Sequence, residues 1–181
     1  FEVSSIRKFD SGGAVQLDSL YEFQVQTVSI SPTNDGGCII SANHNNGGQT
    51  DLFLIKIDSN GDVTWTNEFG TSFNESIVQA LQTYDGGYAV IATIPDLILQ
   101  NQNDILFVRC DANGDSLCSK KIGSTLNETA LHLEQTADSN FAILGTTSGF
   151  GDNRIFFTVI DSMGIARTNY EILGAGTYFC S

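Results

Sequence analysis

Two stretches of the chain space their side-chain oxygens as a calcium loop does. Ile57–Trp65 reads IDSNGDVTW and Cys110–Cys118 reads CDANGDSLC. Asp58, Asn60 and Asp62, and likewise Asp111, Asn113 and Asp115, stand at alternate positions around a glycine. A calcium loop of this kind ends on a bidentate acid at its twelfth position. Phe69 and Ile122 stand there instead. Two more stretches, DSGGA from Asp10 and DSMGI from Asp161, keep the first aspartate and the glycine. Their third and fifth positions are Gly12, Ala14, Met163 and Ile165, which supply no side-chain oxygen. A hairpin needs only an aspartate that accepts backbone N–H groups and a glycine that takes positive φ. The four stretches therefore read as one turn used four times, with no metal and no cofactor implied.

Other catalytic chemistry finds few residues to carry it. The histidines are His44, in NHNNGG, and His132, in TALHLEQT, and neither has a recurring partner that would make a nucleophile–base pair. No two cysteines or histidines lie at zinc-finger spacing. A sialidase-type Asp-box has aspartate two residues before its glycine and tryptophan three after it, whereas Asp58 is three before Gly61 and Trp65 four after. The arginines are Arg7, Arg109, Arg154 and Arg167, too scattered to promise a carboxylate-binding cluster. The sequence is accordingly expected to be non-enzymatic.

The positions of these turns expose a repeat. The turn aspartates Asp10, Asp58, Asp111 and Asp161 are 48, 53 and 50 residues apart. A second landmark keeps the same period: NDGGCIISA from Asn34, YDGGYAVIA from Tyr84 and ADSNFAILG from Ala137. Each unit reads as four short strands, in the second unit ESIVQALQT, YAVIATI, DILFVRCD and SLCSKKIG. The third strand is apolar at successive positions (LFLIKI, ILFVRC), the mark of a strand covered on both faces. No stretch shows a sustained helical period.

A four-stranded antiparallel unit with two covered faces needs a neighbour on each side. The expected fold is all-β, with the units as β-propeller blades; a β-sandwich or β-solenoid is the alternative. The chain, residues 1–181, divides into a half blade at 1–24, units at 25–70, 71–123 and 124–173, and the start of another at 174–181. About three and a half repeats imply part of a larger ring or an incomplete one. Lys8, Lys56 and Arg109 share one repeat position, two before the turn aspartate, and are expected to pair with carboxylates there.

Composition narrows the partners. Asp and Glu number 21 against 8 Lys and Arg, a formal charge of −13, which disfavours nucleic acid and anionic membrane surfaces. No apolar run is long enough to span a bilayer as a helix, so no direct membrane insertion is expected. Acidity of this kind suits an extracellular chain. Four cysteines then invite pairing. Cys110 and Cys118 flank their turn symmetrically and are expected to form a cross-strand disulfide; a Cys38–Cys180 bond is the weaker expectation. Any ligand is expected at the variable loops 43–51, 95–104 and 147–154, with Asn43, His44, Asn45, Asn46, Gln100, Asn101, Gln102, Phe150, Asp152 and Asn153 as candidate contacts. The sequons at Asn74 and Asn127 fall at equivalent positions, at a turn into the first strand of a unit.

The pattern DGGYxxxA…DxxLxKxDxNGDxxWxxxFG resembles a β-propeller repeat of secreted, multidomain bacterial surface proteins, many of them exported by type IX secretion. The likeness spans nearly the whole chain and is clearest from Asp35 to Gly123. It implies a secreted, cell-surface location and a scaffold or adhesion module. The implied partners are other domains of a larger surface protein or neighbouring surface proteins. A carbohydrate-binding propeller is the alternative, and a glycosidase the third reading.

Overall fold

Glycine-centred turns end the strands, and the apolar runs between them fill them. The structure, a computed structural model, describes residues 4–70, 73–96, 102–149 and 152–172. It is all-β, with fourteen strands and, among the described residues, no helix. A two-stranded sheet comes first, β1 (Ser4–Phe9) and β2 (Val15–Tyr21). A four-stranded sheet follows, made of β3 (Val25–Pro32), β4 (Cys38–Asn46), β5 (Gln49–Ile57) and β6 (Val63–Phe69). The next contains β7 (Ser76–Gln82), β8 (Tyr88–Pro95), β9 (Asn103–Cys110) and β10 (Ser116–Ile122). The last contains β11 (Asn127–Gln135), β12 (Phe141–Gly149), β13 (Asp152–Ile160) and β14 (Ala166–Ile172). Every sheet is an antiparallel meander in chain order.

The four aspartate turns have one geometry. Asp10, Asp58, Asp111 and Asp161 each donate their N–H to the carbonyl four residues on, and each Oδ1 accepts the N–H groups two and four residues on at 2.8–3.0 Å. The glycine is left-handed every time, with φ of 83, 89, 85 and 76° at Gly13, Gly61, Gly114 and Gly164. These are turn aspartates whose oxygens are taken up by their own backbone.

Successive sheets stack face to face, so the middle strands are covered on both sides. Ile39, Leu52 and Leu54 pack against Ile77, Ala80, Tyr88 and Val90, with Trp65 edge-on to Tyr88 at 5.2 Å between centroids. The opposite side of the same β7–β10 sheet sends Ala89, Ile91, Ile105 and Phe107 against Leu133, Phe141 and Ile143. Phe107 and Phe141 lie 5.1 Å apart there. Each fully buried isoleucine, leucine or phenylalanine contributes about 2 kcal/mol over its exposed state. Among the described residues the row of sheets does not close into a ring.

Two expectations change. Cys110 and Cys118 are free thiols, as is Cys38. A β-bulge between Ser116 and Cys118 shifts the register, so that Cys110 faces Ser116 and Cys118 faces Arg109. Directly paired residues share a face and neighbours alternate, so the two sulfurs point to opposite sides of the sheet. Cys110 is buried toward the β3–β6 sheet, while Cys118 Sγ lies 3.8 Å from the Ser162 carbonyl oxygen of the last sheet. Cys180, the other half of the weaker pairing, lies outside the described residues, as does all of 174–181. The second change concerns Asn43–Asn46, which belong to β4. A two-residue turn at Gly47 and Gly48, both at positive φ, continues the β4–β5 ladder to the pair Asn46–Gln49.

Gly114 cannot carry a side chain cheaply: at φ 85° its Cβ would stand 2.7 Å from the Trp65 ring. Gly114→Ala should lower unfolding free energy by about 2 kcal/mol. Ser139 sits at φ 63° where Gly36 and Gly86 stand in the other units. Ser139→Gly should raise stability by about 0.5–1 kcal/mol. Urea unfolding of both variants measures the two signs.

Candidate functional site

Each complete unit presents two ends: the turn between its first and second strands, and the opposite tip between its second and third. The recurring cation belongs to the first. Thr33 Oγ1 and the Gly37 N–H both bond Asp35 Oδ1, and Lys56 Nζ meets Asp35 Oδ2 at 2.7 Å while also donating to the Ile57 carbonyl. The next unit repeats this with a guanidinium. Arg109 reaches Asp85 Oδ2 at 2.7 Å, Thr83 Oγ1 at 2.8 Å and the Tyr88 carbonyl at 3.0 Å, and lies over the Phe141 ring. Both cations are buried, as their structural assignment requires. In the third unit Val159 takes the cation's place, and Asn140 Nδ2 donates to Asp138 Oδ2 instead.

These bonds favour the ionised carboxylates. The Lys56 ammonium holds Asp35 down to about 2, and a bond from Thr83 lowers Asp85 from the usual carboxylate range. Asp138 is lowered mainly by Thr136, and Asp58 and Asp161 mainly by the backbone N–H groups of Asp62 and Ile165.

At the other end, several candidate ligand contacts are engaged in joining sheets or strands. Asn43 Oδ1 accepts the Ile77 N–H of the next sheet at 2.9 Å. His44 Nδ1 lies 2.7 Å from Glu68 Oε1, and its ring meets Phe53 at 5.5 Å. Asn45 Oδ1 accepts the Gly48 N–H at 3.3 Å, and Asn45 and Asn46 are exposed. The Gln102 carbonyl accepts the Asp96 N–H and closes the second tip. Gln100, Asn101 and Phe150 lie outside the described residues. Asp152 and Asn153 open β13, and their side chains lie outside the described ones. The three tips thus occupy one repeat position but only part of the proposed contact set is brought together there. His132 is exposed on β11, 3.8 Å from Glu134.

Sequence reasoning missed a row of buried acids beneath these tips. Asp51 and Glu75, from the first and second complete units, correspond to Asp104 and Glu128, from the second and third, each 53 residues on, and all four are buried. Glu128 accepts from Ser124 and Thr147 hydroxyls. Lys121 Nζ meets Asp104 at 2.7 Å and Asp96 at 3.3 Å. Burial outweighs that ammonium and pushes Asp104 above the usual range, while Asp104 in turn raises Lys121. Gly70 and Gly123 let the acids approach, since a Cβ would stand 2.2 Å from Asp51 Oδ1 and 1.8 Å from Asp104 Oδ1. The common 53-residue offset was the signal that could have found them.

The sequons also have structural work. Asn74 Oδ1 accepts the Thr50 N–H at 2.9 Å, and Asn127 Oδ1 accepts the Asn103 N–H at 2.8 Å, the same bond in two units. Among the described residues, no three His, Cys, Asp or Glu side chains gather as metal ligands would. Compared with known proteins, the sequence matches no family model, and no curated protein is significantly similar to it.

Removing Arg109 leaves a hydrogen-bonded turn without its cation. Arg109→Ala should cost about 3 kcal/mol, and Arg109→Lys should recover most of it, because Lys56 makes the equivalent pair. Acid should act on the same turns. Asp35 has a folded pKa of about 2 against an unfolded value near 3.9. Its contribution is complete above about pH 4 and is lost as pH falls through 2. Urea unfolding between pH 5 and 2 should show declining stability, with a shallower decline in Asp35→Asn.

Proposed function

We propose that this chain is a non-enzymatic scaffold or protein-interaction module of an exported surface protein, with its four-stranded sheets acting as β-propeller blades. The observation that carries the reading is the repetition of one polar joint between consecutive sheets. Side-chain oxygens of one sheet accept backbone N–H groups of its neighbour at equivalent places, as in Asn34 N–H to Gln82 and Tyr84 N–H to Gln135. Conserving such joints through units that differ elsewhere suits a frame whose task is to hold surfaces in register. The propeller reading draws support from the 50-residue period, the four-stranded meander and the stacking of each meander on the next.

The resemblance to secreted bacterial repeats supports export and a surface location. A free Cys110 does not oppose it: burial pushes this thiol up to about 12, where the thiolate needed for oxidation is scarce at neutral pH. Partners on this reading are neighbouring protein surfaces, met through the exposed tips.

Two measurements test the proposal. Surface labelling of intact cells of the native host should modify the protein, and its confinement to the cytoplasm would end the export reading. A glycan array probed with the folded chain should show no specific binding. Binding lost in Asn45→Ala/Asn46→Ala would replace the scaffold with a carbohydrate-binding module.

A further inference from the structure

The buried acids beneath the tips pair across neighbouring units, and the lysine that serves one pair is a glutamate at the other. Asp104 and Glu128 make the pair with the lysine. A Cβ on Gly123 would stand 1.8 Å from Asp104 Oδ1 and 3.1 Å from Glu128 Oε2, so the two carboxylates converge on one point. Lys121 Nζ meets Asp104 Oδ2 there at 2.7 Å. Asp51 and Glu75 make the other pair. Gly70 stands in the place of Gly123, and a Cβ on it would lie 2.2 Å from Asp51 Oδ1. The Glu75 N–H donates to the Thr50 carbonyl at 2.8 Å, which holds Glu75 beside the start of the strand that carries Asp51.

The two pairs stand in the same ladder register. Lys121 faces Leu106 across β10 and β9, and Glu68 faces Phe53 across β6 and β5, each 53 residues earlier. A glutamate therefore occupies the position from which the lysine reaches Asp104. Glu68 turns to His44 instead, with Oε1 2.7 Å from Nδ1. Asp51 is only 9% exposed, and its Oδ1, the oxygen set against Gly70, has no hydrogen-bond partner. A buried carboxylate oxygen left in this way is costly unless a cation meets it. Asp51 has the burial of Asp104 and not its lysine.

We propose that Asp51 and Glu75 form a calcium site, the ion serving this pair as the Lys121 ammonium serves the next. Calcium takes about six to eight oxygen ligands and combines carboxylates, backbone carbonyls and water in a flexible shell. Magnesium demands a near-ideal octahedron and gives up its own water reluctantly. Transition metals favour a gathering of nitrogen, sulfur and acid ligands. Among the described residues no three His, Cys, Asp or Glu side chains come together in that way, and His44, opposite Asp51 in the ladder, is bound to Glu68. Two carboxylates completed by water and carbonyl oxygens suit weak binding, with a Kd on the order of 1 mM. The inference rests on the acids and their register and stands apart from the scaffold reading.

Calcium chloride added to the whole chain at about 10 mM should raise its Tm by about 4 °C. The amide resonances of Asp51 and Glu75 should titrate with a Kd on the order of 1 mM. Magnesium chloride at the same concentration controls for screening of the −13 charge and should raise the Tm far less. Asp51→Asn should abolish the calcium response. Glu68→Lys, which installs the lysine of the next pair, should abolish it too, and should melt above the calcium-free parent because the ammonium takes the ion's place. Glu134→Lys makes the same charge change at an exposed position of β11 and should keep the response. Circular dichroism checks that each variant is folded. No calcium shift, an equal shift with magnesium, or a shift that survives Asp51→Asn or Glu68→Lys would overturn the proposal. So would a Glu68→Lys chain no more stable than its calcium-free parent, or loss of the response in Glu134→Lys.

Discussion

The structure depends on strands with two buried faces. In β8, Tyr88 and Val90 face one neighbouring sheet while Ala89 and Ile91 face the other, and all four are buried. A sheet of this kind cannot stand alone, because either face left open exposes a run of apolar side chains. Stability is therefore a property of adjacent pairs, as in other repeat arrays. The contrast within the chain supports this. Ile91 is fully buried, yet Leu144 at the same repeat position on the last described sheet is 38% exposed. Composition is nearly the same; only the neighbour differs.

Apolar faces alone would let sheets slide, and the polar joints prevent it. Asn43 and Asn74 bind backbone N–H groups on opposite sides of the first full interface, and Thr93 and Asn127 do the same at the second. A side-chain oxygen aimed at an otherwise unpaired N–H has a narrow range of useful positions. Such bonds specify register more than they add net stability, since each replaces a bond to water. Here they also account for polar residues at positions that a core-only view would fill with hydrocarbon.

Most of the fold was legible because its punctuation is local. Four aspartate–glycine turns and three Thr-x-Asp turns bracket each strand, and a turn's chemistry lies within five residues. What failed to be legible was not local. The bulge between Ser116 and Cys118 places two symmetric cysteines on opposite faces, and spacing counted along the chain carries no sign of it. Polar Asn43–Asn46 looked like a loop, yet Gly47 and Gly48 let the hairpin run to its end, and Asn43 is polar because it serves the next sheet. The buried acids were obscured for the same reason: a carboxylate below a tip reads as surface until its packing is known. Of the candidate site, position was legible and contact was not.

Divergence in the third full unit shows which parts of the design are separable. Val159 has replaced the cation, Ser139 the left-handed glycine and Asn140 the second glycine, yet the turn retains the bonds Thr136 N–H to Asn140 carbonyl and Ser139 N–H to Thr136 carbonyl. Asn140 and Thr136 both donate to Asp138, so the carboxylate is satisfied from within the turn. The cation is thus one of two ways to hold the aspartate, whereas the aspartate is common to all three turns. Arg109 has a second attachment, the Phe141 ring of the next sheet, and through it the turn of one unit is tied to the core of another. Lys56, bonded to Asp35 and to the Ile57 carbonyl, serves its own turn. The cation therefore holds the aspartate in both units that have one, and in Arg109 it also reaches the stacked sheet.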